Sequence, residues 1–421
     1  MTQELKMQNK ANSKLIDNRN YIIDIMRALA CIIVFIDHFT VGLFPFLHDS
    51  SVLGTKWNML RHGTPFNMIF NGNIAVHYFF VVSAYLTYNK YIDDDKDIDI
   101  ISFVGHKIIK LLKIIIPAEI LVFLLANLGL YFCKDVYAIN NTLIEIVGWG
   151  PDTVSIFQLI KETIRNLVYD ANGLLTPLWT MHNLLLGDVI VAVFATVLRG
   201  KKNRFFSIAC MIPLVLWINK DIGSFFIGMM VFEIVNGEYR EVVEKLLQNR
   251  RTSVLKRLIC FICKICYISI AVFTLTFDFN AIGMYSVLPE NTGYGYFLHA
   301  VGVGMVMICV LMKYEGHKKR SKSYSKVLLS IGKYSAYIYA FHLQIILSVG
   351  CKIYLYLYNK TNMFVLFCGT FCVTFGASIL IAKLWVSLIN SDFFNRLEIA
   401  AIDYCRVKIK KLLINCRFQR P

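Results

Sequence analysis

Ten long apolar runs constrain the fold of this chain more than any other feature of its sequence. A helix needs about 20 apolar residues to cross roughly 30 Å of hydrocarbon, and most of the runs approach or exceed that length. They cover residues 21–47, 66–88, 108–132, 174–198, 205–218, 222–236, 258–277, 294–312, 327–349 and 363–389. The fifth and sixth are short, and we expect a tight hairpin around residues 219–221. The sequence therefore predicts an all-α, polytopic integral membrane protein with about ten transmembrane helices.

The composition excludes a soluble enzyme, and the placement of charge predicts the topology. Only 17% of the residues are charged and 57% are hydrophobic, whereas soluble domains contain about 25% charged residues. Cytoplasmic loops of membrane proteins are rich in Lys and Arg. With both termini inside, 32 of the 44 basic residues fall in cytoplasmic segments and 8 in outside loops. This bias predicts an N-in/C-in topology, and it explains the net charge of +16 without a nucleic-acid partner.

Three segments are expected along the chain. Residues 1–20 form a polar cytoplasmic tail ahead of an uncleaved first helix, residues 21–390 form the transmembrane domain, and residues 391–421 form a basic cytoplasmic tail. Residues 157–168, in the largest outside loop, are expected to lie along the membrane interface. The basic and apolar C-terminal tail is suited to the surface of an anionic bilayer.

Cysteine spacing suggests a metal site at first sight. Cys260, Cys263 and Cys266 recur every three residues, but they open a predicted span and have no matching second pair. Free Cys is commonly a small apolar packing residue. We therefore expect no metal site.

Ionisable residues within the first apolar run are costly in a membrane and therefore informative. Arg27 and His38 are eleven residues apart, about 20° beyond three full turns, so both lie on one helix face with an axial separation of about 16 Å. Asp24, one turn before Arg27, can pair with it. His38 is closer to the outer side. A purely structural alternative makes Asp24 and Arg27 an interfacial ion pair and His38 a hydrogen-bonding group between helices.

Together with this Asp-x-x-Arg-x10-His pattern, later segments in the same order resemble the membrane acyltransferase 3 family. They are residues 79–86 around Ser83, the lysines Lys107, Lys110 and Lys113 before Pro117, residues 177–187 around Trp179, and residues 335–342 with Ser335, Tyr339 and His342. Ala84 stands where the family usually has Gly, Leu184 where it often has an acidic residue, and the lysines where it usually has arginine. The resemblance covers about residues 21–345.

The resemblance implies an O-acyltransferase that moves an acyl group, acetyl by default, from cytoplasmic acyl-CoA to a hydroxyl of a glycan or lipid-linked sugar. No permanently bound cofactor is expected, and a bacterial plasma membrane is the expected location. A neutral imidazole is a suitable general base, so His38 is the candidate base, with Arg27 as a second catalytic or donor-anchoring group. The other expected site residues are Lys107, Lys110 and Lys113 for the donor, and Ser83, Trp179, Ser335, Tyr339 and His342 for the substrate.

Several alternatives stay open from the sequence. The lysines also fit the positive-inside bias, Trp179 an interfacial anchor, and Tyr339 and His342 interhelical hydrogen bonding. His77, His182 and His299 could line a pore, although no spacing selects them. A transporter or flippase, or a non-catalytic scaffold, would carry a similar polar helix face. No Gly-x-Ser-x-Gly nucleophile motif occurs, which favours direct transfer.

Overall fold

The computed structural model describes residues 21–47, 64–92, 99–140, 150–169, 176–237, 239–243, 254–276, 294–315 and 325–390. Of these residues 87% are helical, and none of them forms a strand. The all-α prediction is confirmed. The predicted tails, residues 1–20 and 391–421, lie outside the described residues.

The helices follow the predicted apolar runs closely. They are α1 (Tyr21–Leu43), α2 (Gly72–Ile92), α3 (Ile100–Asn127), α4 (Cys133–Asn140), α5 (Ile156–Val168), α6 (Thr180–Leu198), α7 (Arg204–Ile218), α8 (Gly223–Val235), α9 (Val254–Thr276), α10 (Tyr294–Glu315), α11 (Lys326–Ile345), α12 (Cys351–Leu357) and α13 (Met363–Ile389). Short 3₁₀ turns at Pro45–Leu47, Pro65–Ile69 and Thr176–Trp179 complete the described elements, and a π-helical turn, Ile346–Gly350, joins α11 to α12.

Local capping explains where two helices depart from the predicted runs. The second run begins at residue 66, but the Thr64 side chain caps a 3₁₀ turn that has Pro65 in its first position. The Asn71 side chain then accepts from the backbone N–H of Asn73, and α2 begins at Gly72. Helix α3 begins eight residues before its predicted run, because Asp99 caps it through the N–H of Ser102. Short polar side chains at a helix start satisfy N–H groups that have no partner within the helix.

Three described helical stretches are long and apolar enough to cross a membrane: Pro177–Leu198, Lys326–Leu357 and Met363–Ile389. Four shorter apolar helices accompany them: Arg204–Ile218, Gly223–Val235, Ile262–Thr276 and Phe297–Lys313. The count of about ten spans and the N-in/C-in topology stay predictions.

Helices α1 and α11 approach each other very closely at a glycine. A Cβ added to Gly332 of α11 would lie 2.0 Å from the carbonyl oxygen of Asp24 in α1. Further along the same pair, the Cys31 thiol lies 3.8 Å from the Ser335 carbonyl oxygen. This close contact fixes the position of the later part of α11 relative to the later part of α1.

Aromatic rings hold the C-terminal half of α1 against α13. Phe35 packs edge-on against Phe375 and Phe371, with ring centroids 4.8 and 5.4 Å apart. Phe39 packs against Phe371 and Phe367, each at 5.4 Å. Edge-to-face pairs of this kind add stability beyond the burial of the rings. Because His38 lies between Phe35 and Phe39 in the sequence, these ring contacts fix the part of α1 that carries His38.

Helix α5 is amphipathic and forms within the stretch that the sequence predicts at the interface. Ser155 and Gln158 form a capping box at its start. The polar residues Glu162 and Asn166 are buried, and Asn166 donates to Glu119 of α3 at 2.9 Å. An apolar stripe is exposed, consisting of Ile156, Phe157, Ile160, Ile164 and Val168. Such a helix suits a membrane surface.

Candidate functional site

Two histidines from distant parts of the chain meet between α1 and α11. His38 Nδ1 lies 3.2 Å from His342 Nε2, across 304 residues of sequence. Their ring centroids are 4.8 Å apart with an interplanar angle of 71°. His342 is buried and His38 is half-buried. The structure therefore brings the two histidines of the predicted site into direct contact.

Backbone carbonyls determine which nitrogen of each ring carries hydrogen. His342 Nδ1 lies 2.6 Å from the carbonyl oxygen of Tyr339, which can only accept, so Nδ1 carries the hydrogen and Nε2 keeps its lone pair. His38 Nδ1 lies 3.1 Å from the carbonyl oxygen of Val34. An Nδ1–H of His38 can therefore be shared between Val34 and His342 Nε2. This arrangement leaves the lone pair of His38 on Nε2, which is the tautomer that a general base requires.

A cationic cavity lies beside this pair. Its lining includes three basic side chains, Arg27, Lys107 and Lys110, together with Ser83 and Tyr339. The volume is about 160 Å³, comparable to an engineered cavity of about 150 Å³ that binds benzene. It has room for a slender chain or a small group.

Tyr339 connects the cavity to the histidine pair. It lines the cavity, precedes His342 by three residues, and its ring centroid is 5.7 Å from that of His342. Its hydroxyl donates to the carbonyl oxygen of Pro177 at 2.9 Å. His38 and His342 are not among the residues that line this cavity. Tyr339 is thus a lining residue that His342 contacts from outside the cavity.

Asp188 is the functional candidate that the sequence analysis missed. It is fully buried in α6 and pairs with Lys107 Nζ. It accepts from the hydroxyls of Ser83 at 2.8 Å and Thr87 at 3.2 Å. One carboxylate thus joins α2, α3 and α6 and fixes two cavity-lining side chains. The available signal was a carboxylate inside the apolar run 174–198, one helical turn after Leu184.

The remaining predicted residues are distributed around this centre. Asp24 lies 3.9 Å from Arg27, as expected from their spacing. The Trp179 ring lies 6.3 Å from that of Phe80, a cavity-lining residue. The Ser335 hydroxyl is buried and has no hydrogen-bond partner within the described residues. Lys113 is not among the cavity-lining residues.

The three histidines that no spacing selected are all placed by hydrogen bonds. His182 Nδ1 lies 3.1 Å from the carbonyl oxygen of Leu167. His77 lies 2.7 Å from the Ser224 hydroxyl, and His299 lies 2.9 Å from the carbonyl oxygen of Thr274. No group of three potential metal ligands occurs in the part of the chain that the structure describes.

Comparison with protein-family models gives a match over most of the chain. A family model described as an acyltransferase domain matches residues 20–383. This match includes all the residues named above for the histidine pair and the cavity. No curated protein and no solved structure matched the chain.

Proposed function

Because the chain belongs to the acyltransferase 3 family of membrane O-acyltransferases, we propose that it transfers an acetyl group from cytoplasmic acetyl-CoA to a hydroxyl of a glycan. The acceptor is extracytoplasmic or lipid-linked. The proposed location is a bacterial plasma membrane, with ten spans and both termini inside, in accord with the distribution of Lys and Arg. The observation that carries the proposal is the contact between His38 and His342 next to a cavity with three cationic side chains.

The donor is proposed to enter from the cytoplasmic side. Lys107 and Lys110 lie near the start of α3, and Arg27 near the start of α1, which are the cytoplasmic ends in the proposed topology. Lys110 and Arg27 are proposed to attract the phosphates of acetyl-CoA, whereas Lys107 is neutralised by its pair with Asp188. The small cavity volume favours entry of the slender pantetheine arm alone, with the nucleotide left outside. The thioester would then extend past Arg27 towards Tyr339.

In the proposed reaction, His38 acts as the general base. Its Nε2 accepts the proton of the acceptor hydroxyl as the hydroxyl oxygen bonds to the thioester carbonyl carbon. The carbon–sulfur bond then breaks, and the same proton passes from His38 to the CoA sulfur. His342 Nε2 accepts the Nδ1–H of His38 throughout, which stabilises the protonated ring. Arg27, about 16 Å along the helix from His38, is proposed to anchor the donor.

The acceptor is proposed to arrive from the outer side, where His38 lies in the proposed topology. Tyr339, Ser83, Ser335 and Trp179 are proposed to contact the acceptor or the acyl group. Trp179 can stack against a sugar ring. Its contact with Phe80, which lines the cavity, supports this role.

The proposal is tested by measuring the O-acetyl content of surface glycans from cells that express the wild type, His38→Ala or no protein. We expect ester only with the wild type, with both proteins present in the membrane at equal levels. His106→Ala is the matched control, because His106 is exposed on α3 and bonds only locally to the Ser102 carbonyl oxygen at 2.7 Å. Equal ester in all samples would contradict the proposal and leave a different acyl group, a different acceptor or a transporter.

A further inference from the structure

A second polar cluster lies near the start of α2, on helices that also form the cavity wall. We define the second polar cluster as Asn71, His77, Asn183, Asp221, Ser224 and His299. These residues belong to α2, α6, α8 and α10, or lie one or two residues before one of those helices. Polar side chains inside a membrane bundle are costly and mark functional sites by default. The catalytic proposal uses none of them.

Hydrogen bonds connect the members of the second polar cluster. His77 Nδ1 lies 2.7 Å from Ser224 Oγ, and His77 Nε2 lies 3.9 Å from Asp221 Oδ1. The amide of Asn183 donates to Asp221 Oδ2 at 3.3 Å. Asn71 Nδ2 lies 3.3 Å from His299 Nε2. These contacts form two separate small networks at neighbouring helix ends.

Asn183 provides the observation that indicates a ligand. Its side chain is fully buried, and its Oδ1 atom has no hydrogen-bond partner among the residues that the structure describes. A buried polar atom without a partner costs free energy, so native proteins rarely keep one unless something else binds it. Because the amide nitrogen is held by Asp221, the carbonyl oxygen is available to accept from a hydroxyl group.

Asp221 is the point of access. Its side chain is 17% exposed, whereas those of His77 and Ser224 are almost completely buried. Residues 219–221 form the short turn between α7 and α8, which lies on the outer side in the proposed topology. A ligand that arrives from outside would therefore meet the Asp221 carboxylate first and the Asn183 amide directly behind it.

The ring of Phe80 lines the cavity and also contacts the second polar cluster. Val76 and Met181 line the cavity. His77 lies one residue after Val76 on α2, and Asn183 lies two residues after Met181 on α6. The ring of Phe80, also part of the cavity lining, lies 5.7 Å from His77 and 6.3 Å from Trp179. Phe80 therefore contacts both the second polar cluster and Trp179, the predicted sugar-stacking residue.

We propose that the second polar cluster is a subsite for the sugar of the acceptor, with Asp221 and Asn183 accepting hydrogen bonds from neighbouring hydroxyl groups. This inference rests on the proposed acyl transfer. A carboxylate repels phosphates and other anions, and no metal-binding group of three ligands is present in the described residues. A neutral molecule with adjacent hydroxyls satisfies both oxygen acceptors.

The test uses full-length protein in lipid nanodiscs, with acetyl-CoA as the donor. The acceptor probe is surface glycan from cells that express the wild type, stripped of O-acyl esters by mild base. For Asp221→Asn and Asn183→Ala we expect the acceptor KM to rise about tenfold, the size of one or two lost hydrogen bonds. The Kd for acetyl-CoA is expected to be unchanged.

Matched variants separate the possible outcomes. Asp152→Asn removes an exposed carboxylate that pairs with Lys134, and it should leave the acceptor KM unchanged. Asp221→Asn preserves the shape of the side chain, so it tests the site even if Asn183→Ala fails to fold. The subsite is overturned if folded Asp221→Asn and Asn183→Ala keep the wild-type acceptor KM. It is also overturned if these variants lose acetyl-CoA binding in parallel. Absence of O-acyl ester on the glycan of wild-type cells would instead overturn the proposed function.

Discussion

His342 lies beside His38 in the position that a carboxylate occupies in many histidine-based active sites. Its Nδ1–H is directed to the Tyr339 carbonyl oxygen at 2.6 Å, so its Nε2 can accept from His38. A neutral imidazole costs less to bury than a carboxylate, which suits a contact between membrane helices. We infer that His342 is a positioning residue that holds the proposed base in one tautomer.

This role predicts different results for two substitutions at position 342. In His342→Gln the side-chain oxygen can reach the place of Nε2 and accept from His38, whereas His342→Leu offers no acceptor. We expect His342→Leu to reduce the transfer rate at least tenfold more than His342→Gln, with acetyl-CoA binding intact in both. Rates and binding are measured on purified protein. Equal rates for the two variants would show that the hydrogen bond to His38 is unimportant.

We predict that substitution of Asp188 strongly lowers the stability of the protein. Removing one partner of a buried ion pair leaves an uncompensated charge and costs about 3–5 kcal/mol, and Asp188 is fully buried against Lys107. We therefore expect Asp188→Asn to lower the thermal unfolding temperature in detergent clearly. The exposed pair of Asp152 and Lys134 supplies the control, since exposed pairs contribute about 0–1 kcal/mol. An equally small effect of Asp188→Asn and Asp152→Asn would contradict this account.

At the scale of helices, the close approach of α1 and α11 sets the geometry of the histidine pair. A methyl group at Gly332 would lie 2.0 Å from the Asp24 carbonyl oxygen, a distance that forces the helices apart. We expect Gly332→Ala to reduce transfer strongly by separating His38 from His342, and to lower the unfolding temperature. Transfer rate and thermal unfolding are measured on the purified protein.

Gly376 in α13 provides the matched control for this substitution. A methyl group added there meets no atom within 4 Å, so Gly376→Ala should retain wild-type transfer and stability. Wild-type behaviour of Gly332→Ala as well would mean that the spacing of α1 and α11 does not control the site.

Most helices could be predicted from the sequence because their apolar runs are long and bounded by polar residues, and the two short runs, 205–218 and 222–236, also form helices. Their ends were less predictable, since Thr64 and Asp99 act through local caps. The contact of His38 with His342 was beyond prediction from periodicity, because spacing along one helix does not determine which residue of another helix faces it. Asp188 was missed for a different reason: a single carboxylate in an apolar run shows its role only once Lys107 and Ser83 are seen around it.

At the scale of the whole molecule, the chain forms two polar sites on one set of helices. The cationic cavity with Arg27 lies between α1, α2, α3, α6 and α11, and the second polar cluster lies near the start of α2. In the proposed topology they face the cytoplasmic and the outer side. The proposed base His38 is connected to the cavity lining through His342 and Tyr339, and the donor and the acceptor are proposed to meet there.

The most direct test of this account is acetyl transfer by the purified protein in nanodiscs, with labelled acetyl-CoA and de-esterified surface glycan. Loss of a general base reduces rates by about 10²–10⁴-fold. We therefore predict at least a hundredfold lower transfer rate for His38→Ala, an unchanged Kd for acetyl-CoA, and a wild-type rate for His106→Ala. A His38→Ala variant that transfers acetyl at the wild-type rate would contradict the central claim that the pair of His38 and His342 carries out the reaction.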